Sequence, residues 1–288
     1  MSASMSIRST ISIALFLSIT SAAHAQEVPE LKAMLPDNIQ KAGVIQIASE
    51  FPFPPYEYFN ANNEMTGVEY DLMQEAGAIL GVKFNWNKQP FDGIIPGLAA
   101  GKYDIALSAF TDTLNRQKVV DFIDYSISQN AMIVPKGSDV KGKLDICGKR
   151  MSTQRGTNGE KEITDLSAEC VKRGKSPVEA VVLPSGSDVH LAVKAGKADA
   201  STNEAATAAY IAQTVDGGNA FDAVIYTDLD NQQSSIGIAV PKGSEQLRDA
   251  IQAALQRLVD NGTYKTIMQK YNIEPLSVEK IEINTAKE

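Results

Sequence analysis

Between residues 91 and 111 the apolar positions change from one period to another. Ile94, Ile95, Leu98 and Ala99 recur at helical spacing, Gly101 supplies a stop, and residues 104–107 form a short run suited to a buried strand. That run leads into small hydroxylated residues and then into a short helix carrying Arg116. Ligands of open α/β sheets bind beyond the carboxyl ends of the strands, so the pattern predicts a small polar ligand along residues 108–116. The pattern recurs in 190–210, where Ala195, Gly196, Lys197 and Asp199 repeat Ala100, Gly101, Lys102 and Asp104. Four residues beyond each aspartate stand Ser108 and Asn203, each near a predicted strand end. A second echo, Val-Pro-Lys-Gly-Ser at 134–138 and 240–244, supports two similarly built α/β lobes whose strand ends face one another.

The rest of the chain keeps the alternation, which predicts a largely parallel sheet in each lobe. Strands are expected at 44–48, 82–87, 150–153, 178–183, 199–202 and 221–227, and helices at 68–80, 188–195 and 203–215. Three prolines in 51–59 forbid a helix there and hold Phe53 and Tyr56 as aromatic candidates to cover a ligand. Thr157, Asn158, Gly159 and Glu160 read as a capping box opening a helix to about 173, whose free N–H groups suit a carboxylate. Residues 122–134 and 232–240 read as crossing segments. They divide the chain into lobe 1 (26–127 plus 236–288) and lobe 2 (128–235). Leu247, Ile251, Ala254, Leu255 and Leu258 mark one stripe of a late helix, a second helix follows, and residues after Pro275 read as a tail or strap.

Composition adds the compartment. Arg8, an apolar run over 11–19 and Ala23-His24-Ala25 form a secretory leader over residues 1–25, too short to span a bilayer, with cleavage expected after Ala25. No cysteine at that site invites a lipid anchor, and a periplasmic location is expected. Losing Arg8 with the leader takes the net charge from −8 to −9, and no basic block survives to recruit nucleic acid or anionic membrane. Cys147 and Cys170 read as a disulfide in an oxidising compartment, or else as two inert buried thiols. Only His190 remains after the leader, on what reads as a solvated helix face, so histidine metal sites and serine–histidine triads lack material. Gly174-Lys175-Ser176 is no phosphate loop, because Glu169 stands where its first glycine is needed. No cofactor is expected, and binding is favoured over catalysis.

Five stretches then carry a resemblance: PPYEYFN, TGVEYDLMQEAGAILG, the run from Pro90 to Phe122, Gly156-Thr157, and GIAVPKGSEQLRDAIQAALQRLVDNGTY. From about 43 to 271 the sequence resembles the extracellular solute-binding proteins, family 3, of polar amino-acid ABC importers. The resemblance implies the type II periplasmic-binding-protein fold, a two-lobed Venus flytrap with two crossing hinge strands. It implies that Arg116 holds an α-carboxylate by a two-pronged contact, helped by backbone N–H groups of Thr111 and Thr157. Glu204, with Ser108 and Thr111, would meet the α-ammonium, and Phe53 and Phe91 would sandwich the side chain. Glu50, Gln154 and Asn203 would face that side chain, and Ala109 and Asn158 complete the expected ligand set. An acidic Glu50 leans toward a basic or amide side chain, with opines and other conjugates also open. The implied partners are the amino acid and an inner-membrane permease with its ATPase, and a monomer is expected. Two other readings stay open. One is an enzyme resembling cyclohexadienyl dehydratases, with Glu50 or Glu204 as general acid. The other is a ligand-sensing module for a chemoreceptor or kinase.

Overall fold

The computed structural model of the protein describes residues 26–226, 229 and 233–286. The expected leader, and the first part of the expected return crossing, lie outside the described residues. Two short helices, α1 (Pro29–Lys32) and α2 (Asp37–Ala42), lead into β1 (Val44–Ser49). A small hairpin, β2 (Tyr58–Phe59) and β3 (Met65–Thr66), precedes α3 (Val68–Leu80), β4 (Lys83–Lys88), α4 (Phe91–Ala99), β5 (Ile105–Thr111) and β6 (Val120–Ser128). The middle of the chain gives β7 (Asn130–Pro135), β8 (Arg150–Gln154), α5 (Gly159–Lys172), β9 (Glu179–Leu183) and α6 (Gly186–Lys194). It continues with β10 (Ala200–Glu204), α7 (Ala205–Thr214) and β11 (Phe221–Val224). The last elements are β12 (Ser234–Pro241), α8 (Glu245–Asp260), α9 (Thr263–Lys270) and β13 (Ser277–Ile283).

The strands form two main sheets, ordered β13-β6-β12-β5-β1-β4 and β11-β7-β10-β8-β9, each the centre of one lobe. The internal echoes are structural. Gly101 and Gly196 both take left-handed φ, +70° and +67°, which glycine adopts without a steric penalty. After each turn an aspartate reaches the neighbouring strand: Asp104 Oδ2 accepts the Gln46 N–H at 2.7 Å, and Asp199 Oδ2 accepts the Arg150 N–H at 2.8 Å. One turn design therefore docks β5 on β1 and β10 on β8. The second echo also repeats one turn, Ser138 N–H to Pro135 O at 3.0 Å and Ser244 N–H to Pro241 O at 3.2 Å.

Two expectations are corrected, the largely parallel sheets and the strap after Pro275, and one is made finer, the extended first crossing. The sheets are mixed, not largely parallel: β1 pairs in parallel with β4 and β5, and β8 with β9 and β10, whereas β12 and β7 enter antiparallel. A strand arriving from the other lobe must run against those it joins. The first crossing segment is two strands, β6 in one sheet and β7 in the other, changing sheet at Gln129. The residues after Pro275 are an edge strand, β13, paired with β6 and prolonged by hydrogen bonds from Thr285 to Asp124. The apolar stripe of α8 is buried as expected, and α3 and α9 pack in the same core.

The two cysteines are bonded. Cys147–Cys170 ties the turn before β8 to the end of α5, closing a loop with a sequence separation of 23. Closing a loop of that size stabilises the fold by about 3 kcal/mol, largely by restricting the unfolded chain. Reducing the bridge, or replacing both cysteines by serine, is expected to lower stability by about that amount in urea denaturation followed by circular dichroism.

Candidate ligand-binding site

The strand ends of both lobes open on a cavity of about 390 Å³. All twelve expected ligand residues line it: Glu50, Phe53, Phe91, Ser108, Ala109, Thr111 and Arg116 from one lobe, Gln154, Thr157, Asn158, Asn203 and Glu204 from the other. Their elements explain the convergence. β5 ends at Thr111 and β10 at Glu204, while α4, α5 and α6 begin at the cavity wall. Gly159 lets α5 start there, since a Cβ at that position would fall 2.1 Å from Thr153 Oγ1. The capping differs from the expected box. Asn158 is the cap residue, Thr157 Oγ1 accepts the Gly159 N–H at 3.3 Å, and Glu160 accepts the N–H of Gly156 rather than that of Thr157.

Arg116 sits at the meeting of the lobes. It donates from Nη1 to Thr111 O at 2.9 Å, and from Nη2 across to Gly156 O at 3.3 Å. Its guanidinium lies 5.6 Å from the Phe91 ring centre and 5.3 Å from that of Phe110, and these rings stack on each other at 4.8 Å. Such a platform holds a guanidinium by cation–π attraction. Burial lowers its pKa to about 10, against the pull of Glu204 and Asp112, so it stays charged at neutral pH. Glu204 precedes α7, and its buried Oε2 has no hydrogen-bond partner. Burial first, and the nearby Glu69 second, push its pKa to about 8, although Tyr56 and Arg116 pull it down. Arg116 and Glu204 feel one another's charge but form no salt bridge.

Glu50 crosses the cleft in the other direction. Its Oε2 accepts a short hydrogen bond from Gln154 Nε2, and burial raises its pKa above the ordinary carboxylate range. Asn203 lines the cavity, with its amide donating to Ser201 Oγ at 2.8 Å. Two further expectations are corrected. Tyr56 does not cover the cavity: it is wholly buried beneath Phe53, whose ring stacks on it at 5.6 Å. His190 is not on a solvated face. It is half-buried at the cavity wall, edge-on to Phe221, and burial lowers its pKa.

Gly186, Tyr58 and Tyr210 also line the cavity, beyond the twelve residues expected from the sequence. The echo that pairs Ala100 with Ala195 pairs Phe91 with Gly186, so that glycine was findable. The rings of Tyr58 and Tyr210 meet across the lobes at 5.5 Å, and no spacing in the chain announces it. Among the described residues no cluster of His, Cys, Asp and Glu could hold a metal ion, and no helix is long and apolar enough to cross a membrane.

The profile of the bacterial extracellular solute-binding proteins, family 3, matches residues 45–274. The arginine-binding protein of Corynebacterium glutamicum is 30% identical over 89% of this chain and 83% of its own. Among solved structures, an ancestral arginine-binding protein bound to arginine aligns with a TM-score of 0.70 and 31% identity, over 80% of this chain and 98% of that one. An ancestral amino-acid-binding precursor of cyclohexadienyl dehydratase aligns with a TM-score of 0.72 and 26% identity, over 82% and 98%. Two facing α/β lobes, a cavity between them and a family match over nearly all of the described chain lead to one conclusion: this chain belongs to the bacterial extracellular solute-binding proteins, family 3.

Proposed function

We propose that this chain is the periplasmic receptor of an ABC importer for an α-amino acid with a basic side chain, arginine being the type. The reading rests on one observation: a guanidinium and a carboxyl line the same cavity, close enough to interact yet not paired in a salt bridge. A zwitterionic head group set between them would give Arg116 its carboxylate and Glu204 its ammonium. Each charge would leave water for a partner already in place, which is what makes burying it affordable. Glu50 then supplies a negative group for a cationic side chain, and Phe53 and Phe91 flank that chain's methylenes. The arginine-binding proteins among its relatives support the same class. The lobes would close by hinge bending at the two crossings and present the closed monomer to an inner-membrane permease and its ATPase. The apolar leader supports delivery to the periplasm.

A second reading has a specific observation behind it. A cavity carboxyl with a pKa of about 8 is protonated at neutral pH, as a general acid must be, and the dehydratase precursor is a structural neighbour. Incubation with prephenate or arogenate decides it: the receptor reading expects no aromatic product, and enzymatic formation of one would replace that reading.

Two outcomes are expected of the receptor. Arg116→Ala loses at least about a hundredfold in affinity for L-arginine by isothermal titration calorimetry, and Arg116→Lys does not restore it, because lysine lacks the planar fork. Unaltered affinity in Arg116→Ala would overturn the assignment. The second outcome concerns pH. Below about 8 the Glu204 carboxyl carries a proton that an incoming ammonium must displace, so affinity rises with pH up to that value, by as much as about tenfold per unit. Calorimetry in buffers of different ionisation enthalpy should register a proton released on binding, and Glu204→Gln should abolish that release. As to stability, the raised pKa means that Glu204's contribution is full below the ordinary carboxylate range and is lost as pH rises through about 8.

A further inference from the structure

Beneath the cavity lie two acids that the ligand does not touch in this scheme. Glu57 follows the proline loop, Glu69 sits in the first turn of α3, and both are completely buried. Glu57 Oε1 accepts hydrogen bonds from Ser49 Oγ at 3.0 Å and Ser108 Oγ at 2.8 Å. Glu69 Oε1 accepts from the Tyr125 hydroxyl at 2.7 Å and from the Ala109 N–H at 3.0 Å. The oxygen left over on each, Oε2, is buried and meets no N–H or hydroxyl donor. The two carboxyls interact with each other, and the titratable groups packed around them are Tyr56, Tyr125 and Glu204. None of these is a cation. Two carboxylates in contact in a dry site cannot both ionise. Burial and each other's charge hold Glu57 well above the carboxylate range, and burial raises Glu69.

We propose that Glu57 and Glu69 share one proton between their Oε2 atoms and act as a positioning pair that sets the hydrogen-bond polarity of the adjoining cavity wall; this rests on the receptor reading above. With the proton held there, both Oε1 atoms stay acceptors. Ser108 has one hydroxyl hydrogen, and its acceptors, Glu57 Oε1 and Glu50 O at 3.2 Å, both belong to the protein. Toward the cavity its oxygen is therefore an acceptor only. The Ala109 N–H is likewise spent on Glu69. That bond holds Ala109 at φ +43°, a left-handed conformation that alanine rarely takes. Two donors that would otherwise attract a carboxylate or carbonyl are turned inward. The wall favours a group rich in donors, the ammonium, and disfavours a ligand with an acceptor in its place.

The test has two arms, with circular dichroism melting curves confirming that each variant is folded. Infrared spectroscopy of the protein without added ligand, at about pH 9 and so about one unit above the Glu204 pKa, reads the shared proton directly. A protonated-carboxyl band is expected in wild type and in Glu204→Gln. It is expected to shift in each of Glu57→Gln and Glu69→Gln, because the partner that shares the proton is gone, and to vanish in the double variant Glu57→Gln/Glu69→Gln. Its absence from wild type, its survival in the double variant, or an unshifted band in either single variant overturns the shared proton. Calorimetry then compares L-arginine with its α-keto analogue. The preference for the amino acid is expected to fall about fivefold or more in Glu57→Gln, whose amide can turn a donor toward Ser108. An unchanged preference with intact arginine binding overturns the positioning role. Failure of wild type to bind any amino acid overturns the receptor reading instead, and the infrared arm still decides the proton.

Discussion

A charge taken out of water must find a partner or lose its charge, and that constraint organises this molecule. Arg116 stays cationic in the cleft because Thr111 O, Gly156 O and two aromatic faces receive it. Glu204 is received less well: its Oε2 is unpartnered, the pull of Tyr56 and Arg116 does not offset its burial, and its carboxyl holds a proton up to about pH 8. The asymmetry gives the cavity a direction, with a satisfied cation at one place and an acid waiting for a cation at another. The deeper pair, Glu57 and Glu69, obeys the same constraint by sharing a proton where no cation reaches.

The fold supplies the geometry for this. Parallel strands β1, β4 and β5 in one lobe, and β8, β9 and β10 in the other, direct their carboxyl ends to one cleft, and helices start where those strands stop. The antiparallel crossing strands make the two sheets a single mechanical object. Among the described residues, contacts across the cleft include Arg116 to Gly156, Glu50 to Gln154, and Tyr58 against Tyr210. Several of these residues are also the ones proposed to hold the ligand. Under the proposed function, Arg116 and Glu50 would both bridge the lobes and hold the ligand, so that binding would favour the closed shape.

Legibility in the sequence followed locality. The helix, glycine stop, strand and polar loop around Ser108 and Arg116 are determined by neighbours in the chain, and the repeated Ala-Gly-Lys turn points to Asn203, whereas Glu204 was legible only through the family resemblance. The disulfide was readable from compartment, though not from geometry. Tyr56 was misplaced because a proline-stiffened loop fixes a backbone and not the face on which each ring lies; Phe53 took the cavity and Tyr56 the core. His190 was misplaced because helical periodicity cannot tell solvent from the far wall of a cleft. Glu69 is the clearest case. An acid in the first turn of a helix reads as a partner of the helix dipole, and its complete burial against Glu57 exists only once α3 has packed on β5.

The most direct test is to unfold and refold the protein free of co-purified ligand and follow its melting temperature against a panel of α-amino acids. A basic amino acid at about a hundred times its dissociation constant is expected to add about 2.7 kcal/mol of stability, several degrees for a chain of this size, with little effect from acidic ones. A folded sample that no α-amino acid stabilises would contradict the account, because a cavity lined by Arg116 and Glu204 would then serve something other than a zwitterion.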